Sequence, residues 1–524
     1  MRLAVTSSGE RSSIVLLALI AASLGFLGVG VVNGASTRAP LALLIVVTLA
    51  AVAVSVEYVA WRRLIGALIL LILFVPIRRY FLPVDLPFQL EPYRIFVVLL
   101  MLGWCASLLV DRRTRFRRTG FEGPIVAVVA ASAASIVANP GRVATVSTFV
   151  DKKLMFLLSF VLVLYLIASV IRRLDEVEFL TKTLVTGGAV VALFAIVEAR
   201  TGFNVFDHLS RVVPLLDEHE ISGPGLKRFG AAKLRVFGSA EHPIALSAAF
   251  VVLTPLAVYL SRRYRQRRWL LCAVALAAAC AATVSRTGIA MFVVVVLVYL
   301  WLRPRDTIRL WPAAVGALIV IKLVLPGTLG AIKQSFQPPG GLVAEQQSSP
   351  GELGSGRLAD LGPGLEEWSR QPLFGQGFGT RVVDLDAGVP PASILDNQWL
   401  GTLLETGALG FFAWLWFFVR IVRRFGAEAR RDDSDRGWLL ASLTAGVAAF
   451  AVGMLTYDAF SFIQVTFLLF IFVGLGCALL AERPRPLAVQ TGLPAPEGSA
   501  RPNKGRTGPG TGRLAPWSAG MLQE

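Results

Sequence analysis

Apolar runs of bilayer length recur from Ile14 to Leu480, and nothing constrains the chain more. In hydrocarbon every backbone N–H and C=O must be paired within the protein, so such runs fold as helices packed into a bundle. A span needs about 20 residues, and on that scale about fourteen spans are expected. They lie near Ile14–Val32, Leu41–Val56, Leu64–Ile77, Ile95–Val110, Pro124–Ala138, Leu154–Ile171, Leu184–Val197, Ile244–Leu260, Leu270–Thr283, Ile289–Leu302, Leu310–Val324, Trp399–Val419, Trp438–Leu455 and Phe460–Leu480. The fold class is all-α, a polytopic transmembrane bundle over residues 1–482. A mean hydropathy of +0.66 excludes an ordinary soluble domain.

Charge orients the spans. The formal net charge is +17, and in a soluble chain that would raise the question of nucleic acid. Here most of the excess is arginine in short loops between apolar runs, which sets topology, so no nucleic-acid partner is expected. The densest clusters are Arg112–Arg118, Arg262–Arg268 and Arg423–Arg436. They all fall inside if the N-terminus is inside, and an even span count then puts both termini there. Arg2 and Arg11 precede a first run longer than a signal-peptide core, so Ile14–Val32 reads as an anchor helix. Residues 483–524 are rich in Pro, Gly and Arg without periodicity and read as a disordered cytoplasmic tail.

Two expected outer loops are long enough to hold structure: a medium one at 199–243 and a large one at 325–395. In the first, Phe203, Phe206, Leu209, Val213 and Leu216 recur at helical spacing and suggest a short surface helix. The second reads as flexible through Pro338–Gly341 and Ser348–Gly351. Further on, Leu358, Leu361, Leu365 and Trp368 have helical spacing, but Gly362-Pro363-Gly364 interrupts them, so two short turns are expected there.

Several polar groups on the expected outer side could carry chemistry. Arg286 lies in Ser285-Arg286-Thr287-Gly288, between two apolar runs. Its guanidinium keeps its charge and matches phosphate oxygens in a two-pronged fork. The structural alternative is an arginine snorkelling at a span end. Arg235 belongs to a basic cluster with Lys227, Arg228 and Lys233. That cluster reads either as a cradle for a lipid diphosphate or as a headgroup contact. A glycine and a helix start follow Arg235, where backbone N–H groups could add to anion binding. Asp396, Asn397 and Gln398 open the span that holds Glu405. A carboxylate there suits a general base, and Asp and Asn are also ordinary helix caps. Gln398, Thr402 and Glu405 share one stripe facing the bundle, and Glu405 suits a charged partner. Gly407 and Gly410 permit close approach.

Other features point away from cofactors. Cys105, Cys272, Cys280 and Cys477 lie in apolar runs and read as small buried hydrophobes. His208, His219 and His242 have no metal-ligand spacing, and His242 before Pro243 reads as a helix start. Asp384-Leu385-Asp386 is a weak metal motif in a loop expected outside, where nucleotide-sugars are absent. Gly375-Gln376-Gly377-Phe378-Gly379 follows no strand and reads as a tight turn, not a dinucleotide site. No phosphate-binding loop is present, so neither a metal nor a cofactor is expected.

Taken in order, these pieces resemble the O-antigen ligase and O-antigen polymerase superfamily of bacterial membrane glycosyltransferases. The resembling residues are Arg235-Val236-Phe237-Gly238 with His242-Pro243, then Thr283–Gly288. In the large loop they are Gly356-Arg357, Trp368, Pro372–Gly379, Asp396-Asn397-Gln398 and Glu405–Gly410. The resemblance covers residues 235–480. It implies an undecaprenyl-diphosphate-linked oligosaccharide as donor, a glycan or lipid acceptor, and a site on the outer face of the bacterial inner membrane. It implies that Arg235 and Arg286 hold the diphosphate, with Arg357, Lys233, Asn397, Gln398 and Glu405 lining the substrate site. Asp396 stands where the ligases carry a histidine proposed as base, and Ile244 where many members have asparagine. Membrane lipids and other polysaccharide-assembly proteins are further expected partners. The rival readings are a transporter, for which only Glu198 and Glu405 are candidates for depth, and a non-catalytic component of an export assembly.

Overall fold

The computed structural model describes residues 60–82, 90–111, 114–214, 216–218, 235–337, 358–382 and 395–481, with a few isolated positions between them. The two expected spans before residue 57, Lys233, Arg357, His219, the Asp384–Asp386 motif, both Pro- and Gly-rich stretches of the large loop and the tail lie outside the described residues, apart from Gly340 and Gly341.

Every other expected span falls on a helix. In chain order these are α1 (Trp61–Phe74), α2 (Pro92–Val110), α3 (Glu122–Ala138), α4 (Pro140–Thr145), α5 (Ser147–Val170) and α6 (Leu174–Thr201). A short α7 (Leu209–Val212) is followed by α8 (Pro243–Tyr264), α9 (Arg267–Ala282), α10 (Arg286–Leu302), α11 (Pro304–Arg309), α12 (Trp311–Val324) and α13 (Thr328–Phe336). Then come α14 (Leu361–Ser369), α15 (Gln398–Arg431), α16 (Asp435–Gly453) and α17 (Ile463–Ala481). Seven of these helices are long and apolar enough to cross a membrane, or eight if the bent pair α12–α13 counts as one. The described residues are thus those of a multi-pass helical membrane protein, with fewer full-length spans than expected. The only sheet among them is a two-residue antiparallel pairing of β1 (Tyr80–Phe81) with β2 (Asp217–Glu218).

Burial follows composition. α17 is apolar on all sides and almost wholly buried, and α8 and α16 are nearly as deep. A helix apolar all round belongs in the centre of a bundle. α5 and α16 flank α17, α9 and α10 flank α8, and α3 packs on α15. The outer helices turn Leu109, Val137, Leu271 and Leu323 outward. In water such a surface would be a liability; against lipid it is the solvated face.

The two ends of the bundle differ in chemistry. At one end sit the arginine clusters. Glu178 accepts from Tyr259 Oη (2.9 Å) and Arg263 Nε (3.2 Å), and Arg263 reaches Asp435 at 3.0 Å. Arg262 lies over Trp438 and Arg430 over Trp301. The starts of α10, α15 and α17 gather at the other end, where most of the resembling motif residues lie. That end is called the motif end below.

Three expectations need correction. Leu361–Ser369 is one helix running through Gly362-Pro363-Gly364. Pro363 is its third residue, so the missing N–H is among those that have no intrahelical partner in any helix. The large loop opens with the helix α13, bent 105° from α12 across Gly327, whose φ is +80°. Its amphipathic run is short and went unread. Cys105 is exposed on the outer face of α2, while Cys280 and Cys477 are buried and Cys272 lies between.

Candidate functional site

The motif end is organised around the turn between α16 and α17. Gln398, the first residue of α15, donates its backbone N–H to Met454 O at 2.8 Å. Its side-chain carbonyl accepts from Phe460 N at 2.8 Å, and its amide reaches Thr402 Oγ1 at 3.2 Å. Thr287, on the first turn of α10, donates Oγ1–H to Thr456 O at 3.5 Å. His242 stacks on Phe462 with ring centroids 5.7 Å apart, and Phe462 stacks in turn on Tyr457. Three segments far apart in sequence, 235–242, 285–287 and 396–398, therefore all border one turn.

Arg286 is the first residue of α10, and its side chain is buried. Ser285 caps the helix by accepting from Gly288 N, and Arg286 Nη1 donates to Ser335 O of α13 at 3.3 Å. Val284, just before the cap, has φ +48°, which a β-branched residue adopts only under strain. Asp396 is buried one residue before the cap of α15. The cap itself is Asn397, whose side chain accepts from Leu400 N at 3.2 Å. Arg235 is half-buried, close enough to His242 for its charge to act on the ring.

The backbone after Arg235 departs from expectation. Phe237 N and Gly238 N do not point to an open site. They donate to the two carboxylate oxygens of Glu198 at 2.9 and 2.8 Å. Glu198, from the end of α6, thus fixes the loop that carries Arg235 and occupies the N–H groups expected to help bind an anion.

His242 caps α8, accepting from Ile244 N through Nδ1. Burial holds its ring far below the usual imidazole range, at about 3, and Arg235 pushes the same way. An unfolded imidazole takes its proton near pH 6.5. Between about 6.5 and 3 the unfolded chain holds the extra proton, so stability falls as pH drops through that window. His242→Asn keeps a capping acceptor and removes the proton. Its melting temperature in detergent should therefore fall less than the wild type's between pH 6.5 and 4; parallel slopes would contradict this.

Glu405 sits two residues before a break in α15. Gly407 has φ +64° and ψ −165°, and the segment Pro372–Gly377 fills the gap. Gln376 N donates to Leu404 O, Gly377 N to Glu405 O and Ala408 N to Pro372 O, at 2.8, 3.2 and 2.8 Å. The glycine-rich run is thus a turn, as expected, and its purpose is to close the carbonyls and N–H groups that the break frees. Ser135 and Asn139 at the end of α3 hold both parts, donating to Glu405 O and Gly375 O. The Glu405 side chain pairs with Lys153 of α5 at 2.6 Å.

Sequence reasoning missed Lys153, Arg78 and Asp458. Arg78 has φ +65° and its guanidinium lies 3.2 Å from the buried side chain of Glu241. Burial raises the Glu241 carboxyl to about 7, and Arg78 acts against this. Asp458, on the central turn, is pushed above the usual carboxylate range by burial, with Lys153 and Arg78 opposing and Glu405 adding to it. A signal was available for each. Lys152-Lys153 and Arg78-Arg79 stand at the end where the positive-inside rule does not call for cations. Asp458 is the one Asp, Glu, Lys or Arg between Arg436 and Glu482. Among the described residues no group of His, Cys, Asp and Glu is placed to hold a metal ion.

Fold and site together define a multi-pass helical membrane protein with a polar, partly strained cluster at one end of the bundle. Residues 271–415 match the family model described as O-Antigen ligase. That stretch runs from α9 to the first half of α15 and includes Arg286, Asp396, Asn397, Gln398 and Glu405 but not Arg235. Over these residues the chain is similar to the O-antigen ligase superfamily. No curated protein matches the chain.

Proposed function

We propose that this protein is a membrane glycosyltransferase that transfers or polymerises a glycan from undecaprenyl diphosphate onto a sugar hydroxyl, on the outer face of the inner membrane, in surface-polysaccharide biosynthesis. The observation that carries the reading is the coincidence of the O-antigen ligase match with the motif end, where the segments of Arg235, Arg286 and Asp396 border one turn. The arginine clusters at the opposite end support an outward-facing site.

In this reading Arg235 and Arg286 hold the diphosphate. The acceptor oxygen attacks the anomeric carbon from the face opposite the leaving group, and the anomeric C–O bond breaks with its electron pair passing to the diphosphate. Asp396 takes the hydroxyl proton as the anomeric carbon becomes cationic. Fixed guanidinium charges stabilise the departing diphosphate in a site shielded from water, so the step needs no metal. Donor linkage to diphosphate supplies the driving force. Asn397, Gln398, Glu405, Lys233 and Arg357 serve as substrate-binding residues in this reading. Asn397 also shapes the start of α15 through its side-chain oxygen, which accepts from Leu400 N, and Gln398 through its backbone N–H to Met454 O.

The test is to incubate the purified protein with an undecaprenyl-diphosphate oligosaccharide and size the products. Longer glycans, or glycan joined to an added acceptor, are expected. Uptake into sealed vesicles without any new glycosidic bond would instead indicate a transporter, and neither outcome an assembly component.

A further inference from the structure

Charges at the motif end differ in character. Arg235 and Arg286 are cations on segments that border the central turn. Another set has mixed signs: Lys153 is paired with Glu405, and Asp458 stands within the field of Lys153, Glu405 and Arg78. A diphosphate needs concentrated positive charge. A neutral sugar needs acceptors and donors side by side with little net charge, because each hydroxyl both gives and takes a hydrogen bond.

Asp458 has the placement such a role demands. It is half-buried, on the turn that α10, α15 and the 235–242 segment all touch. The turn is held by backbone and side-chain bonds on one side and by the ring stack of His242, Phe462 and Tyr457 on the other. A carboxylate on so constrained a support is pre-ordered, which lowers the cost of orienting a ligand against it. The Lys153 side chain is 38% exposed, and its ammonium spends one N–H on Glu405.

We propose that Asp458 and Lys153, with Glu405 as the group that positions Lys153, form the subsite for the acceptor: a neutral polyhydroxy sugar whose hydroxyls donate to the Asp458 carboxylate and accept from the Lys153 ammonium. This rests on the glycosyltransferase reading and adds to it a place for the second substrate.

The test measures initial rates of transfer by purified protein while donor lipid and acceptor glycan are varied separately. For Asp458→Asn the acceptor KM should rise about 10- to 100-fold, the worth of one hydrogen bond to a charged group, with the donor KM unchanged. Lys153→Met should show the same selective rise, and Asp458→Glu should recover part of the loss. An unchanged acceptor KM in both Asp458→Asn and Lys153→Met, or a parallel rise in both KM values, would overturn the subsite while leaving the transferase reading intact. Absence of transfer by the wild-type protein would overturn both.

Discussion

Replacing Arg286 with alanine should lower glycan transfer about 100-fold or more, the range for losing one preorganised group that stabilises charge in a transition state. The protein should remain folded in the membrane. Alanine is a good helix former at the first position of α10, and Ser285 still caps Gly288 N. The structural loss includes the bond from Nη1 to Ser335 O, worth about 1 kcal/mol net. Arg286→Lys should recover little, because a point charge does not reproduce the two-pronged fork. Strain at Val284, two residues before Arg286, fits the same picture, since it persists only under constraint from its surroundings. Normal polymer from the Arg286→Ala protein, present at wild-type level in the membrane, would contradict the role.

Gly407→Ala should unfold the motif end. At φ +64° and ψ −165° the backbone is in a region that residues with a side chain avoid, at a cost of about 1–3 kcal/mol. A Cβ there would also lie 2.2 Å from Leu373 O, and that oxygen belongs to a backbone itself bonded to α15. Overpacking adds about 1–3 kcal/mol. The expected sum, about 2–6 kcal/mol, should appear as a large fall in detergent melting temperature together with loss of activity. Gly316→Ala is the control: nothing lies within 4 Å of a Cβ at that position in α12, so the melt should stay the same or rise slightly. Equal melting of the two variants would show that the break and its filling segment are not fixed features of the fold.

How far the sequence revealed this architecture varies with the range of the interactions involved. Spans were legible because hydrophobicity is a local property: the helices α2, α5, α8 and α17 coincide with the expected runs. Caps were legible for the same reason, as His242 and Asn397 show. The glycine-rich run was legible as a turn but not as the filling of a helix break. That requires knowing that Pro372–Gly377 and Leu404–Leu409 meet. Glu198 was noticed as a charge at depth, yet its bonds to Phe237 and Gly238 join residues 39 and 40 positions away. Lys153 and Asp458 escaped because their meaning comes from Glu405 and from the central turn, not from their neighbours in the chain. Pro363 misled for a different reason: proline breaks a helix in its interior but not in its first turn.

The most direct test uses an undecaprenyl diphosphate bearing a photoreactive group next to the phosphates, cross-linked to the purified protein and mapped by peptide mass. Adducts are expected in the segments Arg235–His242 and Ser285–Thr287, and should vanish when unlabelled lipid diphosphate is in excess. Competed adducts confined to the arginine-rich end, around Arg262–Arg268 or Arg423–Arg436, would contradict the account.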